Sequence, residues 1–280
     1  MMAHARGSSL LADLQNQTKK AATYSGRVLS YSGLVVHCDG FPVSVGSICK
    51  VATGDGGEAL AEVIGFGDGR NQLVLYDQGV QLHAGARVTL ADEGVHVPVD
   101  EHVLGRVMDG LGQPLDGRGV IAPQKSWPLS GRFLNPLDRA GVHKPFDVGV
   151  RAVNGLLTMG LGQRVGIIAG SGVGKSVMLG MMAQFAKADV VVVALIGERA
   201  REVGDFTRNL QSSGAFDRVC LVAEPADRSP LLRLKAAQRA TSIAEYFRSQ
   251  GRHVLLIMDS LTRVAHARRE IGLGLGEMPT

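Results

Sequence analysis

Residues 169–176 read Ala169-Gly170-Ser171-Gly172-Val173-Gly174-Lys175-Ser176, directly after the apolar run Val165-Gly166-Ile167-Ile168 and ahead of Val177 and a helix-forming stretch. Ala or Gly, four residues, then Gly-Lys and Ser or Thr, set between a strand and a helix, is the pattern of a loop that wraps phosphate groups. Glycines at 170, 172 and 174 let successive N–H groups point inward where a Cβ would obstruct. The N-terminus of the following helix adds partial positive charge at the same spot. Lys175 is then spaced to reach the outer phosphates, and the Ser176 hydroxyl to ligate Mg2+. These residues predict a chain that binds a nucleoside triphosphate.

Two acidic segments could act on such a ligand. The apolar run Val254-Leu255-Leu256-Ile257-Met258 ends in Asp259, which downstream of a phosphate loop suits an aspartate that holds Mg2+ through a water. In Leu195-Ile196-Gly197-Glu198-Arg199-Ala200-Arg201-Glu202, Glu198 follows a strand and should sit at the carboxyl edge, where ligands bind in such sheets. Its carboxylate could orient and polarise an attacking water. Arg199 could neutralise charge on a transferring phosphoryl group. Glu202, one helical turn beyond Glu198, could hold a metal-bound water. The same spacing also fits a charged helix start, with Glu198 as a capping acid and Arg199, Arg201 and Glu202 solvated; both readings stand at this point. The eight histidines show no metal-ligand spacing, and Ser171, Ser176 and Ser260 have no paired histidine nearby, which argues against serine-nucleophile chemistry.

These side chains need a scaffold. After Phe146 the chain alternates candidate strands (164–168, 190–196, 218–223, 254–258) with candidate helices (174–187, 199–211, 231–250, 263–273). Continuous Val/Ile/Leu runs mark strands buried on both faces, so the expectation is an α/β domain with a parallel sheet covered by helices. Residues 24–99 differ in texture: six short alternating segments separated by Gly, Pro and Asp turns predict a small closed β-barrel. It carries no catalytic grouping and reads as a docking or oligomerisation module. Residues 100–145 form a Pro- and Gly-rich connector into the α/β domain (100–280), with Trp127 as a packing anchor. Residues 1–23 form a separate segment, in which Leu10, Leu11 and Leu14 suit either one amphipathic helix or a disordered tail.

The 280 residues are 45% apolar and 20% charged, with 30 basic against 26 acidic side chains. The basic residues are scattered and form no nucleic-acid stripe. Cys38, Cys49 and Cys220 lack CxxC spacing and lie in apolar segments, which reads as three small buried hydrophobes in a reducing compartment. With no apolar run of 18 residues and a polar N-terminus, the expectation is a soluble, cytoplasmic chain.

Several longer stretches carry a family resemblance: 169–182, 196–203, Pro225-Ala226-Asp227-Arg228-Ser229-Pro230-Leu231-Leu232-Arg233, 258–273, the connector Gly105 to Gly117, and Asn135-Pro136-Leu137-Asp138-Arg139. Together they resemble the type III secretion ATPases, with wording most similar to the flagellar export branch. The resemblance implies a hexameric RecA-like motor related to the catalytic subunits of rotary ATP synthases. It would use ATP and Mg2+ to unfold proteins and hand them to a membrane export gate. Carried over, Lys175 and Ser176 bind phosphates and Mg2+, Glu198 is the general base, Arg199 contacts the γ-phosphate and Asp259 is the metal acid. Glu202 and Arg263 fall near the metal and phosphates. The implied partners are further copies of the chain, a stator-like regulator, a central stalk, the export gate and chaperone–substrate complexes, at the inner face of the plasma membrane; no nucleic acid is implied.

Ala169 departs from the commoner Gly, a change this family tolerates. Relatives of this type run well beyond 280 residues, so the expectation is a domain that stops short of its last strands, arginine finger and adenine pocket. Three other readings compete. An injectisome ATPase differs only in its partners. A non-hydrolysing ring subunit should lack Glu198. A hexameric nucleic-acid motor should line one barrel face with aromatic and basic residues, whereas Tyr31, Phe41, Phe66 and Tyr76 lie in apolar or turn settings.

Overall fold

The structure, a computed structural model, describes residues 24–77, 79–170 and 172–279. The segment 1–23, read as a tail or helix, and the phosphate-loop residue Ser171 lie outside the described residues. The rest divides into two units, the first ending at Glu93 and the second running from Gly94 and also taking Tyr76.

Alternation of apolar and polar residues builds the first unit. Strands β1 (Ser25–Ser32), β2 (Val35–Asp39), β3 (Ile48–Ala52), β4 (Glu58–Gly67), β5 (Arg70–Leu75) and β6 (Arg87–Asp92) close into a barrel of order β1-β2-β5-β4-β3-β6. Every second residue points inward, so Val28, Val36, Cys38, Cys49, Val51, Ala61, Val63, Leu73 and Val88 fill the interior. Closure pairs every strand on both sides and leaves no open edge. Burial raises the thiol pKa of Cys38 to about 12 and of Cys49 to about 11, so both stay neutral and serve as hydrophobes.

The second unit opens with β7 (His96–Pro98), β8 (Arg106–Met108) and β9 (Ser126–Pro128). β7 pairs with β9, and Val97 and Val99 bury against Trp127 and the main helical layer. The last residues of the stretch expected to be barrel therefore pack in this unit. Trp127 is the packing anchor expected: it is buried, lies edge-on to Tyr246 and donates its indole N–H to Glu245 at 3.1 Å.

Next come β10 (Pro145–Phe146), α1 (Arg151–Leu156), β11 (Met159–Gly160), α2 (Lys175–Phe185), β12 (Val190–Ile196), α3 (Ala200–Ser212), β13 (Val219–Glu224), α4 (Pro230–Ser249), β14 (Val254–Asp259) and α5 (Leu261–Gly274). Four strands form a parallel sheet of order β14-β12-β13-β8. All residues of β12 and β13 are buried, because both faces are covered. Val190, Val192, Ala194 and Ile196 face α4 through Ala236, Ala240, Ile243 and Phe247. Val191, Val193 and Leu195 face α2 and α3 through Leu179, Met182, Ala183 and Leu210. A period of two thus feeds both layers.

Two differences from expectation bear on the site. The connector supplies a strand, β8, to the sheet edge. In contrast, Arg164–Ile168 forms no strand: Val165 is 48% and Ile168 99% exposed. Hydrophobicity alone does not make a strand. The segment has no ladder partner among the described residues, and β14, the sheet's other edge, pairs only with β12.

Candidate active site

The phosphate-binding pattern lies at the start of α2. Gly174 is its N-cap with φ +92°, a conformation disfavoured for residues bearing a Cβ, and Lys175 is the first helical residue. Gly172 is also left-handed, with φ +78°. Ala169, Gly170, Val173, Ser176 and Val177 are exposed. Gly174 has no side chain to cap this helix start, so the N-cap does not compete for its first N–H groups, as an anion site requires. The far end of α2 is held by Arg218, whose guanidinium donates to the carbonyls of Gln184 (2.7 Å), Ala186 (2.8 Å) and Ala188 (2.5 Å). This clamp was not legible in the sequence.

The parallel register brings the acids to one edge. Asp259 lies opposite Leu195, and Glu224 opposite Ile196, so the carboxyl ends of β12, β13 and β14 coincide. Glu198 emerges two residues past β12. Lys175 Nζ forms a short ion pair with Asp259 Oδ1, and the Asp259 side chain is only 5% exposed. The Glu198 carboxyl is raised above the ordinary carboxylate range, chiefly by burial, then by the Asp259 charge and a hydrogen bond to Glu202, with Lys175 opposing. These four side chains therefore share one electrostatic environment.

Two predicted residues stand at its margin. Arg199 is the N-cap of α3; its side chain is 86% exposed and lies 4.0 Å from Glu202. Arg263, near the start of α5, packs its stem against Gly197. A Cβ at Gly197 would lie 2.7 Å from Arg263 Cγ, and Gly197 has φ +70°. That glycine permits the sharp exit from β12 that delivers Glu198. Among the described residues, no group of three His, Cys, Asp or Glu could hold a metal alone. One aspartate, one exposed serine hydroxyl and a phosphate loop instead suit Mg2+, which keeps its waters and takes few protein ligands.

Glu224 was missed in the sequence, although Leu221-Val222-Ala223-Glu224 repeats the apolar-run-then-acid signal that singled out Asp259. Its side chain is 1% exposed.

Residues 149–280 match the ATP synthase alpha/beta family, nucleotide-binding domain. The flagellum-specific ATP synthase of Pseudomonas aeruginosa is 47% identical over 257 residues, 91% of this chain and 57% of its own length. The type 3 secretion system ATPase of Xanthomonas euvesicatoria is 43% identical over 91% of this chain and 58% of its own. The assembled ATPase EscN of the enteropathogenic E. coli type III secretion system superposes with a TM-score of 0.82 at 40% identity, covering 91% of this chain and 61% of EscN. The chain belongs to the type III secretion ATPase family. It spans roughly three-fifths of the length of the relatives it matches. The RecA-like reading of the α/β unit and the barrel ahead of it both agree with this membership.

Proposed function

We propose that the whole protein hydrolyses ATP to drive protein export through a flagellar type III secretion apparatus. The observation that carries the catalytic part is the meeting of Lys175, Asp259, Glu198 and Glu202 at the carboxyl edge of β12 and β14. In this reading the α2 N-terminus and Lys175 bind the phosphate chain, and Ser176 and Asp259, with Glu202 behind them, hold Mg2+. The metal would neutralise charge on the phosphates. Glu198 accepts a hydrogen bond from the attacking water and draws its proton as the water closes on phosphorus. Arg199 and Arg263 are long enough to swing toward the developing charge.

Flagellar export is favoured over an injectisome role because relatives at 46–47% identity, among them those of Pseudomonas aeruginosa and Salmonella typhimurium, are flagellum-specific ATP synthases. The Xanthomonas euvesicatoria type 3 secretion system ATPase stands at 43%, within the range of other flagellar relatives. EscN has been seen assembled and in complex with its central stalk EscO, which supports a ring of this protein around a stalk partner. A stator-like regulator, an export gate and chaperone–substrate complexes are the further partners proposed, at the cytoplasmic face of the inner membrane. Among the described residues, no helix is long and apolar enough to cross a membrane.

Gene deletion in the source organism, complemented with the parent or the Glu198→Gln variant, tests the assignment. Swimming restored by the parent alone supports it. Normal swimming in the deletion strain, with loss of effector secretion, moves the assignment to an injectisome.

A further inference from the structure

The connector turn 109–113 is built into the α/β unit by groups that nucleotide chemistry does not use. Glu224 Oε2 accepts from Gly110 N at 2.9 Å, and Arg228 Nε lies 3.3 Å from Glu224 Oε1. Arg239 donates to the carbonyls of Gly110 (2.9 Å) and Leu111 (2.8 Å). The turn fits only because residue 110 lacks a side chain: a Cβ there would lie 2.6 Å from the Leu232 carbonyl and 3.1 Å from Glu224 Oε2. A buried carboxylate held at both oxygens is expensive to misplace.

The same residue touches the catalytic loop through its backbone. Gly197 N donates to Glu224 O at 2.7 Å, and Ala226 N donates to Glu198 O at 3.2 Å. Glu198 is thus flanked by two hydrogen bonds to the strand end that Glu224 anchors. We propose that Glu224 is a positioning residue for Glu198: its side chain, locked to the connector turn, fixes the backbone that aims the Glu198 carboxylate. This inference rests on the reading of Glu198 as the group that activates water. It predicts a defect in the chemical step with phosphate binding intact, because among the described residues the hydrogen bonds of the turn run to Glu224 and Arg239 and not to Lys175 or the α2 N-terminus.

The test uses the full-length protein, with steady-state ATP hydrolysis, equilibrium binding of a fluorescent ATP analogue and thermal melting measured on each variant. Glu224→Ala should lower kcat about tenfold or more while KM and analogue affinity change less than about twofold, since small misalignments of a reacting group carry large rate penalties. Glu224→Gln, whose amide oxygen can still accept from Gly110, should recover most of kcat. If the alanine variant does not fold, Glu224→Asp decides; it keeps the charge but withdraws the acceptor by one methylene, and it should show the same split. A folded Glu224→Ala or Glu224→Asp protein with parental kcat overturns the inference, as does a parallel loss of kcat and affinity. Glu198→Gln is the control. If that variant itself turns over at the parental rate, the reading of Glu198 fails, and this inference falls with it.

Discussion

Lys175 and Asp259, 84 residues apart in the chain, meet as an ion pair between the start of α2 and the end of β14. The Asp259 side chain is nearly buried, whereas the Lys175 side chain is 29% exposed. The aspartate therefore depends on the lysine more than the reverse.

Lys175→Ala should for that reason do two things. It removes a charge-assisted contact to the phosphates, weakening nucleotide binding by about 1.5–3 kcal/mol. It also strands the Asp259 carboxylate, so the melting temperature should fall, and adding Asp259→Asn should restore part of it. Titration with a fluorescent ATP analogue and a thermal melt of the single and double variants check both. Unchanged affinity in the single variant would remove Lys175 from the site.

Glu198→Gln separates chemistry from binding. Turnover should drop at least ~100-fold with analogue affinity retained. Hydrolysis near the parental rate would point to Glu202 as the base.

The same variant carries a pH signature. Burial and the neighbouring acids raise the Glu198 pKa above its ordinary 4.5 in the folded protein. A carboxyl raised on folding favours the protonated form there, so it destabilises the fold once pH exceeds the folded pKa. That penalty fades as pH falls below the unfolded value. Glu198→Gln should thus melt higher than the parent at pH 8, with the gap closing near pH ~4. Activity of the parent should rise with pH on a limb above the ordinary carboxylate range. A constant melting difference across this window would contradict the arrangement.

Gly197→Ala tests the exit from β12. The residue has φ +70°, and a new Cβ would run into the Arg263 stem. Backbone strain of about 1–3 kcal/mol should appear as lost stability, and displacement of Glu198 as lost turnover. A variant with parental melting and activity would show that neither the left-handed turn nor the Arg263 contact matters.

Arg218→Met should loosen α2 from its far end, leaving the carbonyls of Gln184, Ala186 and Ala188 without their shared donor. We expect a loss of about 2–3 kcal/mol in urea unfolding, with faster amide exchange over 182–188. Unaltered exchange there would show that solvent satisfies those carbonyls equally well.

Much of the local structure of this protein was legible in its sequence. Uninterrupted Val190–Ile196 reads as a strand covered on both faces and is one, whereas Val254–Met258, of the same texture, forms the edge strand β14, where Leu256 is 37% exposed. Gly174-Lys175-Ser176 has the glycine and lysine expected where a loop enters a helix. The barrel was equally plain, since its alternation has period two and its turns are marked by Gly, Pro and Asp. What the sequence left open depends on register and on long-range partners. Nothing local in the sequence places Glu198 beside Asp259 and Lys175; the parallel pairing that sets Asp259 opposite Leu195 does so. Val165–Ile168 has a strand's composition, but strand formation needs a neighbour to supply hydrogen bonds, and none of the described residues does so. Glu224 and Gly110, 114 residues apart, carry no shared local pattern. Only tertiary packing, which buries the carboxylate and so demands a donor, shows that they belong together.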